Sequence, residues 1–164
     1  KQLQLLDEND AKINYWKNLK LKELETLILT CSGLWFEVYA SDYIAVPDKH
    51  VNCIVQMINR TYSEVKLNKI SYFNQTDTIV SKTLKQNELI IFKHKEKLNA
   101  NVPSSSPYWL NEKHGVGMYT VKEEQLIGMP ENESTAKVTF DVTVLDLNLK
   151  IERGITYKLT DPVK

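Results

Sequence analysis

From Leu34 onward the chain alternates. Leu34, Phe36, Val38 and Ala40 interleave with Trp35, Glu37, Tyr39 and Ser41, the period of two that gives a β-strand one buried face. Pro47 and Asp48 mark a turn, and a second strand follows with Val51, Cys53, Val55 and Met57 on one side. "EVKLNKISYF", "TIVSKTLK" and "NELIIFKHKEKLN" are each of strand length and are separated by Asn-, Asp- or Gln-rich turns; "TAKVTFDVTVL" and "LKIERGITYKL" predict a closing hairpin around Asp146. Short strands at this spacing predict a mainly β fold, an antiparallel immunoglobulin- or fibronectin-like sandwich of seven or eight strands. Its core should take Phe36, Val38, Val55, Phe140, Val142 and Tyr157.

Residues 1–33 follow a different rhythm. Leu21, Leu24, Ile28 and Cys31 recur at three, four and three residues, which places them on one helical face, expected to dock through Leu21, Leu24 and Ile28, and Gly33 suits a C-cap. "DENDAKIN" breaks the pattern, so the spacing predicts a short first helix, a turn, and a second helix from about Tyr15 to Ser32. The expected organisation is therefore a helical segment over 1–33, read as a linker or the remnant of a preceding domain, then a β-sandwich over 34–164. Within the sandwich an excursion at 101–133 interrupts the alternation. Lacking an initiator Met and any tail-like composition, both ends are expected to be cuts inside a longer protein.

That excursion, "SSSPYWLNEKHGVGMYTVKEEQLIGMP" over 104–130, concentrates Trp109, two tyrosines, one histidine and several glycines. Exposed aromatic rings with polar neighbours can stack on a sugar or on a partner protein. Tyr108, Trp109, His114 and Tyr119 are accordingly the candidate contact residues. The competing expectation is that Trp109 and Tyr119 turn inward and anchor a crossover, since a long connection needs internal packing; the open alternative places Trp109 in a cleft with Glu112, Lys113 and His114.

Charge and chemistry narrow the function classes. Twenty-one basic and twenty-one acidic residues give a net charge of zero, which argues against a nucleic-acid or anionic-membrane partner, and no apolar run approaches the roughly 20 residues of a membrane span. The histidines His50, His94 and His114 are too dispersed for a zinc motif, and each reads as a surface or turn position. Cys31 and Cys53 sit in apolar contexts and are expected as two buried free thiols. "GVGMY" lacks the strand-turn-helix setting of a nucleotide fingerprint, Ser104 to Ser106 lie in no nucleophile elbow, and Glu123, Glu124, Asp141 and Asp146 are scattered carboxylates. "DLNLK" at Asp146 lacks the glycine and distal glutamate of a calcium loop. No catalytic residue and no metal ligand is therefore assigned. Asn59, Asn74 and Asn132 begin N-x-S/T sequences, which matter in a glycosylating host.

The succession "LKELETLILTCSGLWFE", "INRT", "PYWL", "GMYTV", "QLIGMPEN" and "TYKLTDPVK" resembles the C-terminal accessory region of bacterial LmbE-like/PIG-L deacetylase-family proteins, over about Leu19 to Lys164. The resemblance implies a fibronectin- or NEW3-like sandwich following a catalytic domain of the same chain, in which zinc serves an N-acetylglucosaminyl deacetylase-like site. The H-P-D-D and H-x-x-H signatures of that domain do not occur in this sequence, so no catalytic role or cofactor carries over to any position. The motif residues Trp35, Pro107, Tyr108, Trp109, Gly117, Met118, Tyr119 and Gly128 belong to the accessory region. The expected function is a non-catalytic accessory module that supports domain packing or presents a glycan. An independent carbohydrate-binding module and a structural spacer are the alternatives. Export of a bacterial parent is left open.

Overall fold

The computed structural model describes residues 2–6, 9–74 and 76–159. A 3-10 turn at Leu3–Leu5 and a helix α1, Ala11–Ser32, precede eight strands: β1 Leu34–Ala40, β2 His50–Asn59, β3 Val65–Ser71, β4 Asp77–Thr83, β5 Leu89–Lys97, β6 Lys137–Val144, β7 Leu147–Gly154 and β8 Thr156–Tyr157. They form two four-stranded sheets, ordered β5-β2-β1-β8 and β4-β3-β6-β7. All pairings are antiparallel except that of β1 with the two-residue β8, which is parallel. The predicted mainly β sandwich with a helical N-terminus is the architecture found; Asp7, Glu8 and the end of the "TYKLTDPVK" motif, 160–164, lie outside the described residues.

The alternation of the sequence becomes the core. Phe36, Val38, Cys53, Val55 and Met57 from one sheet meet Val65, Leu67, Ile70, Val138, Phe140, Val142 and Ile151 from the other, and Phe36 and Phe140 touch across the interface with ring centroids 5.0 Å apart. Tyr157 is the exception among the predicted core residues. Its ring lies outside, edge-to-face with Tyr43 at 5.9 Å, because β8 is a two-residue edge strand with no facing layer over it.

β3 carries a bulge. Its register against both β4 and β6 shifts between Leu67 and Lys69, which frees Asn68 to donate through Nδ2 to Asp141 Oδ1 at 3.2 Å and Thr143 Oγ1 at 2.9 Å on β6. An extra residue in one strand, fixed by its own side chain, is how a bulge keeps Leu67 and Ile70 facing the same core. At the far end of β2 the buried Asn59 amide donates to Leu84 O at 3.0 Å while Thr61 N–H donates to its Oδ1 at 2.9 Å. One side chain thereby ties the β2–β3 connection to the β4–β5 connection.

α1 starts earlier than the apolar periodicity predicts, because Asp10 caps it: its carboxylate accepts the N–H groups of Lys12 and Ile13 at 2.8 and 3.1 Å. The expected first helix is only the 3-10 turn. Gly33 ends α1 with φ +59°, the left-handed conformation of a helix stop. Leu29 enters the sandwich core, Ile28 packs against it, and Leu21 and Glu25 face β7. Two expectations fail here. Leu24 and Cys31 are exposed, since the face that docks is rotated toward Leu29, so Cys53 alone is a buried thiol. No helix among the described residues is long and apolar enough to cross a membrane.

Candidate functional site

Between Asn99 and Ala136 no residue is buried. What holds this excursion is hydrogen bonding. Asn132 spans its two ends: the amide Nδ2 donates to the Ser106 carbonyl, and its Oδ1 accepts the Tyr108 N–H at 3.1 Å. Gly128 N–H donates to the Tyr108 hydroxyl at 3.3 Å, and Ser106 Oγ lies 2.5 Å from Asn111 Oδ1. Pro107, with φ −53°, leads into a 3-10 turn at Tyr108–Leu110 that sets the Tyr108 and Trp109 rings edge-to-face at 4.9 Å. The return leg is anchored by close approach: a Cβ on Gly154 would stand 2.6 Å from Ser134 Cβ, so only glycine admits the Ser134 side chain there. Ser134 Oγ donates to Ala136 O at 2.7 Å.

This clasp creates a shallow cleft of about 330 Å³ lined by Ser105, Ser106, Pro107, Trp109, Pro130, Glu131 and Asn132. Trp109 is half-buried and forms the aromatic wall, two prolines extend the apolar floor, and Glu131 with the serines supplies the polar rim. His114 and Tyr119 form a second pair, centroids 5.1 Å apart, around a tight turn closed by the Gly115–Met118 bridge, with Gly117 at φ +80°. The four candidate residues thus fall into two pairs. Neither His114 nor Tyr119 lines the Trp109 cleft, and Glu112 is engaged with Lys122 at 2.5 Å instead. The expected inward anchoring is corrected as well: Tyr119 is 59% exposed and Trp109 does not reach the core, because polar clasps replace apolar anchors in ordering the segment.

A second constellation lies inside one end of the sandwich, where the sequence reading placed only a surface histidine. On β5, Ile90, Phe92, His94 and Glu96 share the inward face, and Leu98 just beyond the strand is buried too. His94 Nε2 stands 2.6 Å from Glu96 Oε2, Thr76 Oγ1 donates to Glu96 Oε1 at 2.9 Å, and Tyr72 stacks on the His94 ring at 3.5 Å. Cys53 is the cross-strand partner of His94. Burial, with the Glu96 carboxylate nearby, pushes the Cys53 thiol up to about 11, and burial together with Cys53 and Glu96 pushes the Tyr72 phenol up to about 12. Both groups are therefore neutral near pH 7, and the thiol is not a nucleophile there. The period of two in "LIIFKHKEKL" is the signal that would have turned His94 and Glu96 inward. The chemistry of the cluster is that of a tie, joining β5 to the β3–β4 turn, where Asn74 also donates to the Lys97 carbonyl.

Among the described residues no three His, Cys, Asp or Glu side chains are grouped to hold a metal ion, and no buried side-chain polar atom lacks a hydrogen-bond partner. A scan of protein-family models and a search of curated proteins found no match to this chain.

Proposed function

We propose that this chain is a non-catalytic accessory β-sandwich whose clasped excursion presents Trp109 to a glycan, as a module of a larger LmbE-like/PIG-L-type deacetylase-related protein. The observation that carries the binding reading is the Trp109 cleft. A half-exposed indole beside two prolines desolvates the flat apolar face of a pyranose ring, while the Glu131 carboxylate and Ser105 hydroxyl meet its hydroxyl groups. The deacetylase context rests on the sequence motifs, and the substrate class it suggests is an N-acetylated amino sugar. The non-catalytic reading is supported by the inward histidine and thiol, which are engaged in holding the fold rather than displayed in a cleft.

Domain packing is the second reading, favoured by the outer face of the β5-β2-β1-β8 sheet. Trp35, Ile58 and Leu89 stand in one cross-strand row there, with Ile91 and Ile54 in the rows beyond. A catalytic domain of the same parent chain is the partner that reading implies.

Calorimetric titration with chito-oligosaccharides separates the two. The glycan reading expects saturable binding that Trp109→Ala removes while the melting temperature stays nearly constant; absence of heat with the wild type at millimolar ligand would sink it. The packing reading instead expects Trp35→Ala to weaken association with the upstream domain supplied in trans.

A further inference from the structure

α1 carries a second apolar stripe. Ile13, Trp16, Leu24 and Leu27 are 40% to 56% exposed, and with Lys20 between them they recur at three, four, four and three residues along one side of the helix. The side that docks on the sandwich is another one, defined by Leu21, Glu25, Ile28 and Leu29. A helix with two apolar sides has two partners, and the fold supplies one.

The charges identify the second. From Ala11 to Lys22 the charged groups are Lys12, Lys20 and Lys22, together with the buried Lys17 that donates to Leu6 O, and there is no acid; from Glu23 to Ser32 they are Glu23 and Glu25, with no base. No acidic residue occupies the first turn and no basic residue the last. Beyond the Asp10 cap, which suits the N-terminus, this order runs against the helix dipole, which favours acids near the N-terminus and bases near the C-terminus. Against an antiparallel copy it becomes complementary: the lysine stretch meets Glu23 and Glu25, and the dipoles oppose. In heptad terms Ile13, Trp16, Lys20, Glu23 and Leu27 hold the seam. Antiparallel pairing about a twofold axis between Lys20 and Glu23 sets Trp16 against the partner's Leu27 and Lys20 against the partner's Glu23, each twice. The intramolecular Lys20–Glu23 ion pair, 2.8 Å long, already lies at that centre.

We propose that the chain self-associates through α1 as an antiparallel, twofold homodimer, with Trp16 and Leu27 as the apolar contacts and Lys20 and Glu23 setting the register. A parallel pair would bring lysines to lysines and is disfavoured by the same charges. The interface is independent of the glycan-binding reading, since it lies on the helix and not on the excursion.

Sedimentation equilibrium over a range of concentrations is the primary measurement, with a concentration-dependent monomer–dimer equilibrium expected for the wild type. Leu27→Glu should abolish the dimer without altering the circular dichroism, because Leu27 is outside the core. Lys20→Glu and Glu23→Lys should each weaken association about tenfold or more, and the double exchange should restore it. Disulfide trapping tests orientation: Ile13→Cys should cross-link to Cys31 of the second copy under oxidant, whereas wild-type Cys31 should not link to itself, its twin being displaced along the helix by about 28 Å. A monomer at every concentration, a double exchange no better than the single ones, or ready Cys31–Cys31 cross-linking would each overturn the proposal.

Discussion

The sandwich and its excursion are ordered by opposite means. In the sandwich, side chains from two sheets interdigitate and the main chain follows; Phe140 and Val142 are fully enclosed. In the excursion no residue is buried, and a few polar side chains, Asn132 above all, hold backbone to backbone. The difference teaches where stability and where recognition reside. Burial supplies free energy in proportion to area, whereas a hydrogen bond exposed to water contributes little net but fixes geometry. The core can therefore support an excursion that leaves Trp109 half in water.

The sharpest break of this contrast is Phe140→Ala, which opens a cavity between the sheets and should cost about 3–5 kcal/mol by urea denaturation. Asn59→Ala tests a polar residue that behaves like core. Leaving the Leu84 carbonyl and the Thr61 N–H without their partner should cost about 2–3 kcal/mol, and a loss under about 0.5 kcal/mol would show that the β2 end is held by packing alone. Along α1 the comparison is internal: Leu29→Ala should cost about 2–4 kcal/mol and Leu24→Ala less than about 0.5 kcal/mol in the monomer, which chemical denaturation at low protein concentration resolves.

The enclosed cluster predicts a pH dependence. The Cys53 and Tyr72 pKa values rise on folding from 9.0 to about 11 and from 10.0 to about 12. The stability contributed by keeping both groups neutral is therefore complete below pH 9, the lower unfolded-state value, and is lost as pH climbs through about 11 and about 12. A pH series of thermal melts should fall in that window, and the double variant Cys53→Ala, Tyr72→Phe should flatten the fall. The same enclosure predicts that one thiol, Cys31, reacts with a disulfide reagent at neutral pH while Cys53 reacts only on unfolding. Smallest in global stability is Asn132→Ala. It should lower global stability by less than about 0.5 kcal/mol yet raise amide exchange and protease cleavage selectively within 107–132; uniform loss of protection would make the excursion part of the cooperative unit.

Much of the sandwich was legible because a strand with one buried face writes its pattern into adjacent residues. β1, β2 and the β6–β7 hairpin follow their alternation, and the core residues lie where it puts them, Tyr157 excepted. The same rule was available for His94 and Glu96, but polar residues were read by type and not by parity, which hid the inward cluster. On α1 the periodicity found half of the docked side: Leu21 and Ile28 meet the sandwich while Leu24 and Cys31 do not, for a helix apolar on two sides offers two answers and only the position of β7 chooses. The excursion was legible as unusual and not as a shape. Its clasp joins Asn132 to Ser106 and Tyr108 across 26 and 24 residues, and no local period encodes such a contact.

The three N-x-S/T asparagines share a property that bears on how the protein can be produced. Asn59, Asn74 and Asn132 each donate from the side-chain amide to a backbone carbonyl, of Leu84, Lys97 and Ser106 respectively. An oligosaccharide attached to that nitrogen replaces one of its hydrogens and adds bulk at the place where the chain closes on itself. Because the transferase acts on nascent polypeptide, a eukaryotic secretory host would modify these sites before the carbonyls could claim them. At Asn59, enclosed in the native state, the product could not complete the β2 end at all. Recombinant material from such a host should accumulate as retained, misfolded glycoprotein, and Asn→Gln exchange would not rescue it cleanly, since the longer side chain moves the amide away from the carbonyl it serves.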